Sequence, residues 1–119
     1  MRVIVTGSRD WSHGPVVQAV LQDVILEHGP FTLVHGGCPR GADRFADRWA
    51  RAAGIPVKIF EADWEKYGTR AGPIRNAEMI QAGADLVLAF PLPGGKGTQH
   101  TIRLAQEAGI PVKVWGSDV

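Results

Sequence analysis

Cysteine is all but missing from this chain: Cys38 stands alone, so no internal disulfide can form and nothing points to an oxidising compartment. Long apolar runs are missing too. The opening, MRVIVTGSRDW, reaches Thr6 and Gly7 after only three apolar residues, too soon for a signal-peptide core or a membrane span. A cytoplasmic chain with no membrane partner is the expectation. Strong net charge is absent as well. At +1 overall and with no basic stripe, the chain is not expected to bind nucleic acid, and any attraction for an anion must be local. His13, His28, His35 and His100 share no metal-ligand spacing with one another or with Cys38, so neither a metal site nor a cofactor is expected.

What remains suits one domain over residues 1–119, long enough to bury its own core: 45% hydrophobic and 21% charged residues, with 15 glycines. Short β-branched runs predict strands at 2–6, 31–35, 57–60, 85–90 and 112–115. Helical spacing fills the gaps. Val16, Val17, Val20, Leu21, Val24 and Ile25 form one stripe, with Pro15 in the first turn and Gly29-Pro30 as the stop. A second helix spans about 43–53, with Phe45, Ala46, Trp49, Ala50 and Ala53 on one face and Gly54 as its cap. A third begins near Pro73 and carries Ile74, Ala77 and Ile80 inward. A fourth begins at Thr98 as N-cap, with Ile102, Ala105 and Ala108 toward the sheet. AGIPVKI (53–59) and AGIPVKV (108–114) look like one junction used twice: helix end, glycine cap, proline, strand. Strand and helix alternate throughout, which predicts an α/β, Rossmann-like three-layer domain: a five-stranded parallel sheet with helices on both faces.

In such a sheet a ligand sits beyond the carboxyl ends of the strands. Three of the four loops there are glycine-rich and lead into helices: TGSRDW (6–11), HGGCPRGAD (35–43) and PLPGGKGTQ (91–99). Glycine lets backbone N–H groups approach an anion, and a helix amino end adds unpaired donors and a positive dipole end. Each such contact contributes only about 0.3–1 kcal/mol when exposed, so several loops must act together. Gly7, Ser8 and Arg9 from the first loop, His35, Gly36, Gly37 and Gly41 from the second, and Gly94, Gly95, Gly97 and Thr98 from the last are therefore the candidate ligand-binding residues. The third loop, EADWEKYGTRAGPIRN (61–76), adds Arg75 and Asn76 near a helix start, where an arginine fork suits a phosphate or carboxylate. Trp64 and Tyr67 lie in that loop as candidate stacking faces.

The familiar nucleotide fingerprints are absent. Gly36 and Gly41 have P-loop spacing, but Ala42 and Asp43 follow where Lys and Ser/Thr belong, and GSRDW is not a G-x-G-x-x-G turn. His35, not an acid, ends the second strand.

Taken in order, TGSRDW, HGGCPRGADRFADRWA, ADWEKYGTRAGPIRNAEMI and FPLPGGKGT resemble the SLOG superfamily, most closely its small YspA-like, cpYpsA-related branch, across nearly the whole chain. That superfamily includes the Lonely Guy phosphoribohydrolases, the DNA-processing protein A Rossmann domain, and modules that sense nucleotide-derived signals. The resemblance implies a Rossmann-like fold and a nucleotide-like ligand. Against the Lonely Guy R-K-A-E-M helix, RNAEM puts Arg75 at the catalytic arginine and Asn76 at the lysine. Against P-G-G-x-G-T-x-x-E, Pro93, Gly94, Gly95, Gly97 and Thr98 match, while Thr101 holds the glutamate position.

That missing acid matters, because N-glycosidic cleavage passes through an oxocarbenium-like state that a carboxylate stabilises. Asp10, Asp43, Asp63 and Glu78 are the candidate substitutes, with Asp43 also a helix cap and Glu78 also a partner for Arg75 along its helix. The expected function is binding of a nucleotide or nucleotide-derived ligand, a nucleoside monophosphate or an ADP-ribose-like molecule, by a sensor or sequestering module. The alternatives are a phosphoribohydrolase using Arg75 and, further off, a single-strand DNA-binding module. The resemblance also implies a homo-oligomer, with Trp11, Trp64 and Trp115 as candidate interface residues.

Overall fold

The computed structural model describes residues 1–116. Its five strands are β1 (Arg2–Gly7), β2 (Thr32–His35), β3 (Val57–Ile59), β4 (Leu86–Phe90) and β5 (Val112–Val114). All pair in parallel, in the order β3-β2-β1-β4-β5. The helices are α1 (Gly14–His28), α2 (Ala42–Ala52), the single turn α3 (Trp64–Tyr67), α4 (Ala71–Gln81) and α5 (Lys96–Glu107), with a 3-10 turn at Gly68–Arg70. The sequence placed all five strands; α3 and the 3-10 turn fall where it indicated only loop.

Residues that alternate along the central strands serve two separate cores. Val3, Val5, Leu33, Leu88 and Phe90 face α1 and α2, while Ile4, Val34 and Val87 face Met79 and Ile80 of α4 and Ala105 of α5. Burial on both faces explains why β4 reads as unbroken LVLAF, every residue of it buried. Ala42, Ala46 and Ala50 are fully buried, and their small side chains let α2 lie close against the sheet.

Several helix expectations need correction. Met79 and Asn76 are buried on α4 while Ile74 and Ala77 are only half covered, because α4 starts at Ala71, ahead of Pro73, and turns a different stripe inward. Thr98 is not the α5 cap: Gly95 is, and Thr98 is buried in the first turn. Gly41 caps α2, so Asp43 does not. Ala53 and Ala108 are exposed helix ends.

The repeated junction is one motif built twice. Gly54 (φ 73°) and Gly109 (φ 75°) take the left-handed conformation. Ile55 N–H donates to Ala50 C=O at 2.8 Å and Ile110 N–H to Ala105 C=O at 2.9 Å, with Gly54 N–H to Arg51 C=O and Gly109 N–H to Gln106 C=O beside them. Both helices thus end in the six-to-one and five-to-two hydrogen bonds of a Schellman cap. The following prolines keep their carbonyls for the sheet, accepting from Leu33 N–H and Val87 N–H.

Candidate functional site

Connections leave β1 and β4 in opposite directions along the sheet, so a crevice opens between their carboxyl ends. It holds a cavity of about 300 Å³. Gly7, Ser8 and Arg9 line it from the β1 loop, Gly36 from the β2 loop, Arg75 and Asn76 from α4, and Gly95, Gly97 and Thr98 from α5. His35, Gly37, Gly41 and Gly94 do not.

The α5 end is the open one. Gly95 caps the helix without a side-chain bond, and the first helical bond at that end runs from Gln99 N–H to Gly95 C=O. The N–H groups of Lys96, Gly97 and Thr98 lie ahead of it, in the turn that helix geometry leaves unpaired, where the dipole is positive. Lys96 adds a full charge at the same rim.

Arg75 crosses the crevice. Its Nη1 donates to Gly36 C=O at 2.6 Å and its Nε to Asn76 Oδ1 at 2.9 Å. A Cβ on Gly36 would lie 2.5 Å from Nη1, so a larger residue there would push the guanidinium out of this position. With its Oδ1 committed to Arg75, Asn76 turns its amide nitrogen to Gly97 C=O (3.4 Å) and His100 Nδ1 (3.3 Å), tying α4 to α5. Arg75 makes no pair with Glu78, which faces a separate hollow beside Tyr67. Thr101, fully buried, donates its hydroxyl back to Gly97 C=O at 3.3 Å.

The glycines that miss the cavity have other reasons to be glycine. A Cβ on Gly41 would run into the Ser8 carbonyl and lie 2.6 Å from Arg9 Cα, at a φ of 76°. Even at Gly7, which does line the cavity, an added Cβ would lie 2.5 Å from Ala42 Cβ and 2.9 Å from Phe90 C=O. Gly94 takes a left-handed turn at φ 81°. Gly97 differs from these: its φ is not left-handed and nothing lies within 4 Å of an added Cβ.

His35 is buried behind the site. Gly37 N–H donates to its Nδ1 at 2.9 Å, which places the ring proton on Nε2 for Asp47 Oδ1 at 2.8 Å. Arg51 donates to the other Asp47 oxygen at 2.8 Å and, ahead of His35, holds that carboxyl below the usual carboxylate range. The imidazole thereby orients the 36–38 loop.

Asp43, one of the candidate acids, enters the site and does not cap its helix. It lines the cavity with only 8% of its surface exposed, accepting Cys38 N–H at 3.3 Å. Burial pushes its carboxyl up, against the smaller opposing pull of His35, the loop amides and Arg75. The signal was there: Asp43 shares the inward stripe of Ala46 and Ala50. Of the other acids, Asp10 reaches the rim, where Arg40 pairs with it at 3.0 Å, and Asp63 caps α3 through Lys66 N–H.

Trp11 is an internal residue, 2% exposed and edge-on to Phe90 at 5.4 Å, so it cannot serve an interface. Trp115 also stacks on Phe90, at 5.3 Å, while Trp64 is 58% exposed beside a second hollow of about 400 Å³. No helix among the described residues is long and apolar enough to cross a membrane.

Fold and crevice together define a Rossmann-like α/β domain with a cleft at its strand-order reversal. The model of the YspA, cpYpsA-related SLOG family matches residues 1–67, and the chain belongs to that family. The Gene 61 protein of Mycobacterium phage D29 is 50% identical over 122 residues, covering 97% of this chain and 96% of that one. Two crystal structures of the C-terminal domain of a Pyrococcus furiosus hydrogenase match with a TM-score of 0.51, at 13% and 16% identity, over 96% and 95% of this chain and 90% and 89% of theirs. At that identity the likeness concerns the fold alone.

Proposed function

We propose that the crevice binds a nucleotide or nucleotide-derived ligand, a nucleoside monophosphate or an ADP-ribose-like molecule, as a sensing or sequestering module. The observation that carries this reading is the convergence on one cavity of the α5 first turn, Lys96, Arg9 and Arg75. Donors and cations from separate elements suit a phosphate, and a cavity of this size is at the small end of ligand sites. The second hollow, past Arg75 and Gly36 toward Trp64, leaves room for a base.

Native mass spectrometry of the protein as purified, and after addition of AMP or ADP-ribose, tests the reading. A stoichiometric nucleotide adduct supports it, and a chain that stays bare with both sinks it. Arg75→Ala is expected to weaken AMP binding by at least about tenfold, the scale of a lost charged hydrogen bond. The same spectra count subunits and so test the expected homo-oligomer.

One observation favours a second reading. Asp43 brings a carboxylate to the cavity that Arg75 spans, which supplies the group that Thr101 lacks for N-glycosidic hydrolysis. Free base released from AMP, and lost in Arg75→Ala, decides for the enzyme; bound AMP with no product after long incubation decides against it.

A further inference from the structure

Apart from Asp10, whose carboxylate pairs with Arg40 at the rim, the charged groups lining this cavity are cations, and a buried carboxylate is out of place among them. Asp43 lines the same cavity as Arg9, Arg75, Lys96 and the free amides of α5. A second anion beside it would meet repulsion at short range in a poorly screened setting. The ligand must therefore turn something other than its phosphate toward Asp43. An ammonium is disfavoured by the surrounding cations, and an apolar group would leave the carboxylate's remaining lone pairs unmatched. A neutral donor satisfies both conditions.

Geometry narrows the donor further. One Asp43 oxygen already accepts Cys38 N–H, and the loop amides that hold it fix the direction of the carboxylate. Two oxygens on one rigid carboxylate match two hydroxyls on adjacent carbons. In dinucleotide-binding Rossmann folds an acid beyond the second strand accepts from a ribose hydroxyl. Here β2 ends in His35, which Asp47 and Gly37 occupy, and among the described residues the acid that reaches the cavity from that side comes from the first turn of α2.

We infer that Asp43 reads the ribose hydroxyls of the ligand, so that the crevice selects ribonucleotides over their deoxy counterparts while the phosphate rests on the α5 amino end. This inference rests on the nucleotide reading above and adds the sugar and its orientation. Asp43 is a specificity residue, and discrimination between ligands is its signature.

Isothermal titration of the intact protein with AMP, 2′-deoxy-AMP, 3′-deoxy-AMP and inorganic phosphate tests it, alongside the Asp43→Asn variant. The expected result is that wild-type protein binds AMP at least about tenfold more tightly than one or both deoxy forms, as a lost hydrogen bond to a charged group implies. Asp43→Asn is expected to bring the three within about threefold of one another, mainly by weakening AMP. The wild-type comparison needs no variant and stands even if Asp43→Asn fails to fold. AMP and both deoxy forms binding wild-type protein equally would overturn the inference and leave the nucleotide reading intact. Ribose selectivity that persists unchanged in folded Asp43→Asn would overturn it too. No binding of any of the four probes would overturn this inference, and the nucleotide reading falls with it only if ADP-ribose also fails to bind.

Discussion

Single residues separate packing from recognition, and the glycines show how. Gly41→Ala would force a left-handed backbone and drive a methyl group into the β1 loop, so it is expected to lower stability by about 2 kcal/mol or more in chemical denaturation. Gly97→Ala meets no neighbour and replaces a helical glycine, so it should raise stability by up to about 1 kcal/mol. Because the new methyl group would stand in the crevice, the same variant should bind AMP several-fold more weakly. Retained affinity would remove Gly97 from the site. Asp43 gives a contrast of another kind. Its folded-state pKa lies above the ordinary 3.8, so its proton is held more tightly in the folded chain. The stability that this contributes is full below the ordinary carboxylate range and is lost as pH rises through the folded pKa. Asp43→Asn should therefore be more stable than wild type at pH 7, by about 0.5–2 kcal/mol in the manner of relieved functional sites, with the gap closing in acid. Thermal melts of both proteins from pH 3 to 8 check the sign, and a gap that widens in acid would refute it.

At the level of elements, the matched caps after α2 and α5 invite a paired measurement. Nothing lies near an added Cβ at Gly54 or Gly109, so alanine at either carries only the dihedral penalty. Losses of about 1–2 kcal/mol, equal within error, are expected in urea denaturation. Unequal losses would mean that the two junctions differ in more than their backbone. These junctions were legible because their chemistry is local: an AGIP string specifies its own bonds. The strands were legible for the same reason, being short β-branched runs bounded by glycine and proline. The α4 face was harder to read. Ile74 and Ala77 suggest an inward stripe by composition, yet Asn76 is the residue that α5 requires there, a demand set by Gly97 and His100, more than twenty positions away. Asp43 was hard for a related reason. An acid in a first turn is usually a cap, and only the glycine cap before it, forced by Ser8 and Arg9, leaves that side chain for the crevice.

Across the whole molecule, strand order decides where the loops meet. With β1 and β4 adjacent at the centre, their loops and the α2 and α5 amino ends face one another, a juxtaposition no single loop encodes. A ligand gripped there couples to the entire fold. At a concentration about one hundred times its Kd it should add about 2.7 kcal/mol of stability, and the melting temperature should rise by roughly 10 °C for a chain of this size. A melt unmoved by a ligand that mass spectrometry shows bound would mean that the unfolded chain binds that ligand as well. The two helix ends at the crevice are not equivalent, however. Ser8 C=O accepts Ala42 N–H at 3.3 Å, so the first amide of α2 is taken by the chain's own carbonyl, while the first-turn amides of α5 stay open. A guest consequently has one berth for its charged head, and its tail must trail toward α2. Molecules with an anionic group at each end would find a second mooring denied to them, which gives this small cleft a compass as well as a grip.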